Sequence, residues 1–348
     1  MRFVMFPLSI TSSWGNGHAT NYRALGAALA RRGHEVAFLE RNVPWYEQHR
    51  DVEHVAYGDI HLYRSLDDLD RFADLVGRAD IVVVGSFVPQ GVAVIRWVDR
   101  TAGGAKVFYD IDTPVTLEKL GQGDHEYLSP DVIPVFDLYL SFTGGPALDV
   151  LETRFGARRA RVFYCIVDAD AYAPRAVEER WDLGYLGTHS EDREAALERL
   201  LLEPARRAAH LRFCIAGPNH PDAAWPANVE RIDHLAPAMH PDFYCAQRFT
   251  LNITRAQMVD AGYSPSVRLF EAAASGIPII SDKWPGIDEV FEPESEVLLA
   301  EGADDVLGYL QMSQAHARRI GRAARDRVLR SHSAKKRVEQ LETYLKEI

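Results

Sequence analysis

Four residues in the last third of the chain have the types and spacing to handle an anion. Arg255, Ser266, Arg268 and Glu271 fall within one short stretch, TRAQMVDAGYSPSVRLFEAAASG. Ser266 stands where a helix begins, and the first backbone N–H groups of a helix have no intrahelical partner. With the helix dipole they favour a phosphate oxygen, and Arg255 and Arg268 are candidate cations beside it. Glu271 lies one turn further on, among Leu269, Phe270, Ala272 and Ala273. A carboxylate in such apolar company is costly unless something is hydrogen-bonded to it. Gly187 and Thr188, ending an earlier apolar run, let a ligand approach the backbone closely.

A second set lies in the first third. His18 closes the polar loop TSSWGNGH, and a histidine near neutrality can act as base or as hydrogen-bond donor. Asp112 ends the run KVFYDID just before Thr113-Pro114, and could bind or deprotonate a hydroxyl. Gly15, Asn16 and Gly17 form the loop beside His18. They are not the dinucleotide fingerprint, because position 20 is Thr20 rather than the third glycine, although Glu40 supplies an acidic residue at the end of the second strand.

These residues need rigid elements to carry them. Residues 2–10 read as a buried strand. From about Asn21, Leu25, Ala28 and Leu29 fall on one helical stripe, ended by Arg31, Arg32 and Gly33. EVAFLE then resumes a strand, giving a βαβ unit, and further apolar runs follow at 81–87, 106–112 and 136–142. A second βα series starts near Asp182 and includes DLGYLGT, the helix EDREAALERLLLEPARRA, LRFCIAG, NVERIDHL, RFTLNIT, PSVRLFEAAASG and IPIISD. The expected fold class is α/β with two halves joined near Asp168–Pro174: residues 1–170, residues 171–330 and a terminal helix over 331–348. Ligands of such sheets bind at the carboxyl ends of the strands, where the chemical residues fall.

Composition narrows the classes. Hydrophobic residues make up 47% and charged residues 26%, which excludes a long disordered chain. With 39 Lys and Arg against 50 Asp and Glu the formal charge is −11, so a general nucleic-acid partner is not expected. The three cysteines, Cys165, Cys214 and Cys245, are far apart and read as buried thiols of a reducing compartment. No apolar run reaches about 18 residues, so no membrane span is expected, and the expected location is cytoplasmic. Asp110-Ile111-Asp112 and Asp168-Ala169-Asp170 both spell D-x-D, a pattern that can ligate Mg²⁺, but such triplets arise easily among 50 acids.

The stretch LNITRAQMVDAGYSPSVRLFEAAASGIPIISDKWPGIDEVFEPESEVLL resembles the donor-binding region of CgeB-like glycosyltransferases, relatives of glycosyltransferase family 4. The tail RIGRAARDRVLRSHSAKKRVEQLETYL is similar to that family's terminal helices, and YLGTHSEDR and VDADAYAP also fit. The first half is similar more loosely, through GNGHATNYRALGAALARRGHEV and YDIDTP. The resemblance implies a GT-B fold, two Rossmann-like domains facing a central cleft. It implies a nucleotide sugar bound through Gly187, Thr188, Arg255, Ser266, Arg268 and Glu271, the last accepting hydrogen bonds from ribose hydroxyls. Helix amides and arginine then stabilise the leaving diphosphate, so neither a cofactor nor a divalent metal is expected. His18 and Asp112 become catalytic candidates, with Gly15, Asn16 and Gly17 on the acceptor side. The acceptor is a small molecule, glycan or protein. One position departs from the family 4 pattern: the first of its two glutamates would fall on Tyr263. That departure motivates a non-catalytic coat or assembly protein as one alternative, and a sugar-nucleotide epimerase is another.

Overall fold

A computed structural model describes residues 1–14, 17–221 and 225–348. Gly15 and Asn16, expected on the acceptor side, lie outside the described residues. The chain divides into two compact units, Met1–Ile166 with Ala334–Ile348, and Val167–Ser333. The terminal helix Ala334–Leu345, set apart in the sequence reading, therefore belongs with the first unit.

The first unit is built on seven parallel strands: β1 (Arg2–Phe6), β2 (Glu35–Arg41), β3 (Asp59–Tyr63), β4 (Ile81–Gly85), β5 (Ala105–Asp110), β6 (Leu138–Ser141) and β7 (Ala160–Val162). Their order is β3-β2-β1-β4-β5-β6-β7. Both sheet faces are covered, which is why the strands read as unbroken apolar runs rather than alternations. Phe3, Met5, Val83 and Val107 enter one hydrophobic cluster while Val4, Phe6, Val84 and Phe108 enter the other. Ala334, Val338 and Leu341 of the terminal helix complete the first of these clusters against Leu25 and Leu29. Strand β3 has no counterpart in the sequence reading, because its burial is too uneven to leave a periodic trace.

The second unit repeats the plan with β8 (Trp181–Leu186), β9 (Phe213–Ala216), β10 (Val229–Ile232), β11 (Gln247–Asn252), β12 (Ile279–Ser281) and β13 (Leu298–Leu299). The order is β10-β9-β8-β11-β12-β13, again parallel. In each unit the strand order reverses beside the first strand, between β1 and β4 and between β8 and β11. The connections leave in opposite directions there, opening a crevice at the carboxyl ends. Gly33 and Gly276 take the left-handed conformation expected of helix ends, with φ of 84° and 75°. Among the described residues no helix is long and apolar enough to cross a membrane. Of the expected buried thiols, Cys165 and Cys214 are buried whereas Cys245 is half-buried.

Candidate functional site

At the carboxyl ends of β8 and β11, polar side chains gather around Asn252, the last residue of β11. Its Oδ1 accepts from Ser266 Oγ at 2.7 Å and from Arg268 Nη1 at 3.0 Å. Its Nδ2 donates to Thr254 Oγ1 and Ser281 Oγ, at 3.2 and 3.0 Å. Ser266 occupies the N-cap of the helix Val267–Ala274 in extended conformation, yet its hydroxyl caps nothing. It is committed to Asn252 and leaves the helix's first turn without a side-chain cap, Leu269 N bonding instead to Ser266 O. Asp282 is buried, shares the Thr254 N–H between its two carboxylate oxygens, and burial pushes its carboxyl above the usual range.

Arg268 is 9% exposed and hydrogen-bonds to Leu186 O, Asn252 Oδ1 and Ile253 O, three neutral oxygens. Its guanidinium also lies over the Tyr185 ring, 5.0 Å from the centroid. Gly187 makes this packing possible. A Cβ there would come within 2.5 Å of the Tyr185 hydroxyl and 2.8 Å of Arg268 Nη2. The room left by the missing side chain is thus filled by the cation itself. Thr188, next along, is exposed. Arg255 is also exposed, and its Nε lies 3.9 Å from Asp192 Oδ2. Glu271 is 7% exposed, and its Oε2 accepts from Tyr244 Oη at 3.1 Å. The Tyr172 phenol also feels this carboxylate, and burial followed by that negative charge raises both phenols above their ordinary range. The Tyr244 hydroxyl therefore offsets part of the cost of burying this charge. Tyr263 adopts φ 51° between Gly262 and Ser264, with its ring where a side chain on Gly286 would stand.

The first unit places His18 at the start of the helix His18–Arg31, 6% exposed, with Nε2 2.9 Å from Asp112 Oδ2. Asp112 is the N-cap of the helix Thr113–Gln122 but makes no side-chain cap bond. The two candidates, 94 residues apart in sequence, form one pair. In the tautomer that donates Nε2–H to the carboxylate, Nδ1 is an acceptor. Nδ1 is buried with no partner among the described residues. Phe87 holds the imidazole edge-on at 5.8 Å, from a left-handed backbone of φ 61° that bulky residues rarely adopt. Gly17 immediately precedes His18, and a Cβ there would meet nothing within 4 Å.

Two acidic residues that sequence left open are consumed structurally. Glu40 is fully buried and accepts from Ile10 N, Thr11 N, Ser9 Oγ and Thr11 Oγ1, so it braces the β1 loop. Asp110 accepts from Tyr139 Oη, Thr116 Oγ1 and Asp112 N. Burial raises its carboxyl to about 6, against these hydrogen bonds and with help from Asp112. Asp168 Oδ1 accepts from the backbone of Asp170 and Ala171. Among the described residues no group of three or more His, Cys, Asp or Glu is arranged to hold a metal.

Asn252, Phe87 and Arg193, whose Nη2 donates to Thr188 O at 2.6 Å, were not picked out from sequence. Asn252 could have been found as the polar end of RFTLN at a predicted strand's carboxyl edge. Arg193 and Phe87 left no signal beyond lying one turn into a helix and just after a strand.

Residues 193–343 match the model of a family described as Glycosyl transferase-like. No curated protein matches the chain. Among solved structures, an alpha-glucosyltransferase in complex with UDP-glucose and DNA containing an abasic site is similar, with TM-score 0.76 and 13% identity over 99% of each chain. Sucrose-phosphate synthase (tll1590) from Thermosynechococcus elongatus has TM-score 0.69 and 14% identity, covering 100% of this chain and 98% of that one. Anabaena Alr3699/HepE in complex with UDP and glucose has TM-score 0.69 and 12% identity over 100% of both chains. At such identities the likeness establishes the fold: two parallel-sheet Rossmann-like units of the GT-B class. The matched residues begin in the first helix of the second unit and run into the terminal helix of the first.

Proposed function

We propose that the chain is a CgeB-like glycosyltransferase that moves a sugar from a nucleoside-diphosphate donor to an acceptor hydroxyl. The donor is held by the second unit. Arg268 and the first amides of the helix Val267–Ala274 take the diphosphate, Ser266 and Asn252 hold that cation in place, and Glu271 receives the ribose hydroxyls. Arg255, exposed at the rim, and the Gly187–Thr188 turn complete the donor contacts. In the first unit His18 removes the acceptor proton through Nδ1, and Asp112 stabilises the imidazolium that forms. Charge that grows on the departing diphosphate meets fixed donors, so the reading needs no metal or cofactor. The one observation that carries it is Arg268, a buried guanidinium bonded to neutral oxygens at a strand's carboxyl end. Such a group awaits an anion.

UDP is the first donor base to test, because two of the similar structures contain it. The formal charge of −11 speaks against a DNA acceptor like the one held by the alpha-glucosyltransferase. The test is a thermal-shift panel of UDP, GDP, TDP, ADP and CMP, followed by acceptor screening with the matching sugar series. A ligand at 100 times its Kd stabilises by about 2.7 kcal/mol. One nucleotide hit with glycosyl transfer that collapses in Glu271→Ala supports the reading. No shift with any of the five favours the non-catalytic alternative, and a donor epimerised without acceptor favours the epimerase.

A further inference from the structure

Trp97, Trp181 and Trp284 are buried, as side chains with so large an apolar surface usually are. Trp14 and Trp45 are 53% and 52% exposed, and both belong to the first unit. Trp14 sits in the loop after β1, and Trp45 in the short helix Pro44–Glu47 that follows the neighbouring β2. His49 joins them. Its ring stacks on Trp14 with centroids 4.3 Å apart and planes 17° from parallel, and its Nδ1 donates to Trp45 O at 2.7 Å. In the neutral ring Nε2 is then an acceptor. Glu47 and Gln48, between Trp45 and His49 in sequence, are exposed as His49 is. The two segments are stitched together. Asp51 N and Val52 N both donate to Thr11 O, at 3.0 and 3.1 Å, and Ser12 Oγ donates to His49 O at 2.8 Å. Arg23 Nη2 and Ser13 Oγ donate to the two carboxylate oxygens of Asp51, and Glu40 braces the same loop through its four donors. This framework fixes both indoles at the carboxyl edge of the sheet, the edge that carries His18 and Asp112.

The company these indoles keep says what they take. Among the described residues of the first unit the other exposed large apolar side chains are Met1, Leu62 and Ile348, none in these two segments. The indoles therefore lack the aliphatic surround that a lipid surface or a protein hot spot presents. An imidazole, a carboxylate and an amide are interleaved with them instead. Rigid aromatic faces beside hydrogen-bonding groups of both senses match a ring with C–H faces and a rim of hydroxyls. We propose that Trp14, His49 and Trp45 form a subsite that stacks a sugar ring, so that the acceptor is a saccharide held beside the hydroxyl it presents to His18. This rests on the transferase reading above and adds to it the chemical class of the acceptor.

The test is saturation-transfer NMR on the full-length protein with trisaccharides of glucose, galactose, mannose and N-acetylglucosamine, in α and β linkage, at millimolar concentration. p-Nitrophenol and phosphatidylcholine vesicles are the aromatic and lipid probes. The variants are Trp14→Ala, Trp45→Ala and Trp14→Phe, with Leu62→Ala as an exposed control. At least one trisaccharide is expected to bind the wild type, with saturation strongest on its ring C–H protons. Trp14→Ala and Trp45→Ala are each expected to weaken it by about ten- to a hundredfold, the value of covering half an indole. Trp14→Phe should keep part of the affinity, and Leu62→Ala all of it. Melting temperatures and nucleotide affinity should stay as in the wild type, since both indoles are exposed and the donor is held by the second unit. A wild type that binds no trisaccharide overturns the proposal, as does affinity unchanged in both alanine variants. Capture of p-nitrophenol or vesicles through these tryptophans in place of sugar also overturns it. Saccharide binding that needs Trp14 and Trp45, without any sugar transfer, keeps this inference and removes the transferase reading. Transfer to an acceptor that contains no sugar, undiminished in Trp14→Ala, does the reverse.

Discussion

The two crevices share one strand order and differ in how their polar groups are satisfied. In the first unit, acids and their partners are matched: Glu40 has four donors, Asp110 three, and His18 is paired with Asp112. In the second, Arg268 and Arg193 lean on carbonyls and an amide, and Arg255 stands 3.9 Å from its carboxylate. The same scaffold has been filled once with a His–Asp pair beside fully bonded acids and once with guanidiniums bonded to neutral oxygens. A fold does not choose its chemistry; the residues at the strand ends do.

The sharpest way to break this contrast is to remove the pair. His18→Ala and Asp112→Asn should each lower turnover by about two to four orders of magnitude while nucleotide affinity, read by calorimetry, stays as in the wild type. A loss of nucleotide affinity instead would erase the distinction between the crevices. Next comes Asp110. Its folded pKa of about 6 lies above the ordinary 3.8, so it binds a proton where the unfolded chain does not. Its stabilising contribution is therefore full below about pH 4 and lost as pH rises through about 6. Relative to Asp110→Asn, the wild type should gain on the order of 3 kcal/mol as pH falls across that window, measured by paired denaturation curves. Arg268→Met should weaken nucleoside diphosphate binding by about ten- to a hundredfold and leave that pH dependence untouched. The smallest effect belongs to Ser266. A double-mutant cycle of Ser266→Ala with Asn252→Ala should return a coupling of about 1 kcal/mol, the value of one hydrogen bond, rather than the independent losses of a helix cap.

Much of the scaffold was legible because both faces of each sheet are buried. Continuous runs such as IVVVG need no periodicity to declare a central strand, and Gly33 and Gly276 marked their helix ends. The Asp59–Tyr63 edge strand was not, since no buried face organises its residues. Sequence also placed His18, Asp112, Ser266, Arg268 and Glu271 at strand or helix ends. It could not reveal that His18 and Asp112 touch, because 94 residues separate them, nor that the Ser266 hydroxyl turns from its helix to Asn252. Glu40 shows the converse. An acid at the end of a second strand invites a ribose, yet four donors from the neighbouring loop use up its oxygens. Partnership is a three-dimensional property, and spacing records only candidacy.

The return of residues 334–348 to the first unit has a consequence for synthesis. A ribosome delivers the chain from its N-terminus, so the second unit, ending at Ser333, is complete in sequence before the first. The older half must wait, one side of its sheet still missing Ala334, Val338 and Leu341, until residues 334–348 are read. A chain cut between Ser333 and Ala334 would therefore hold a whole second unit and a first unit short of one helix.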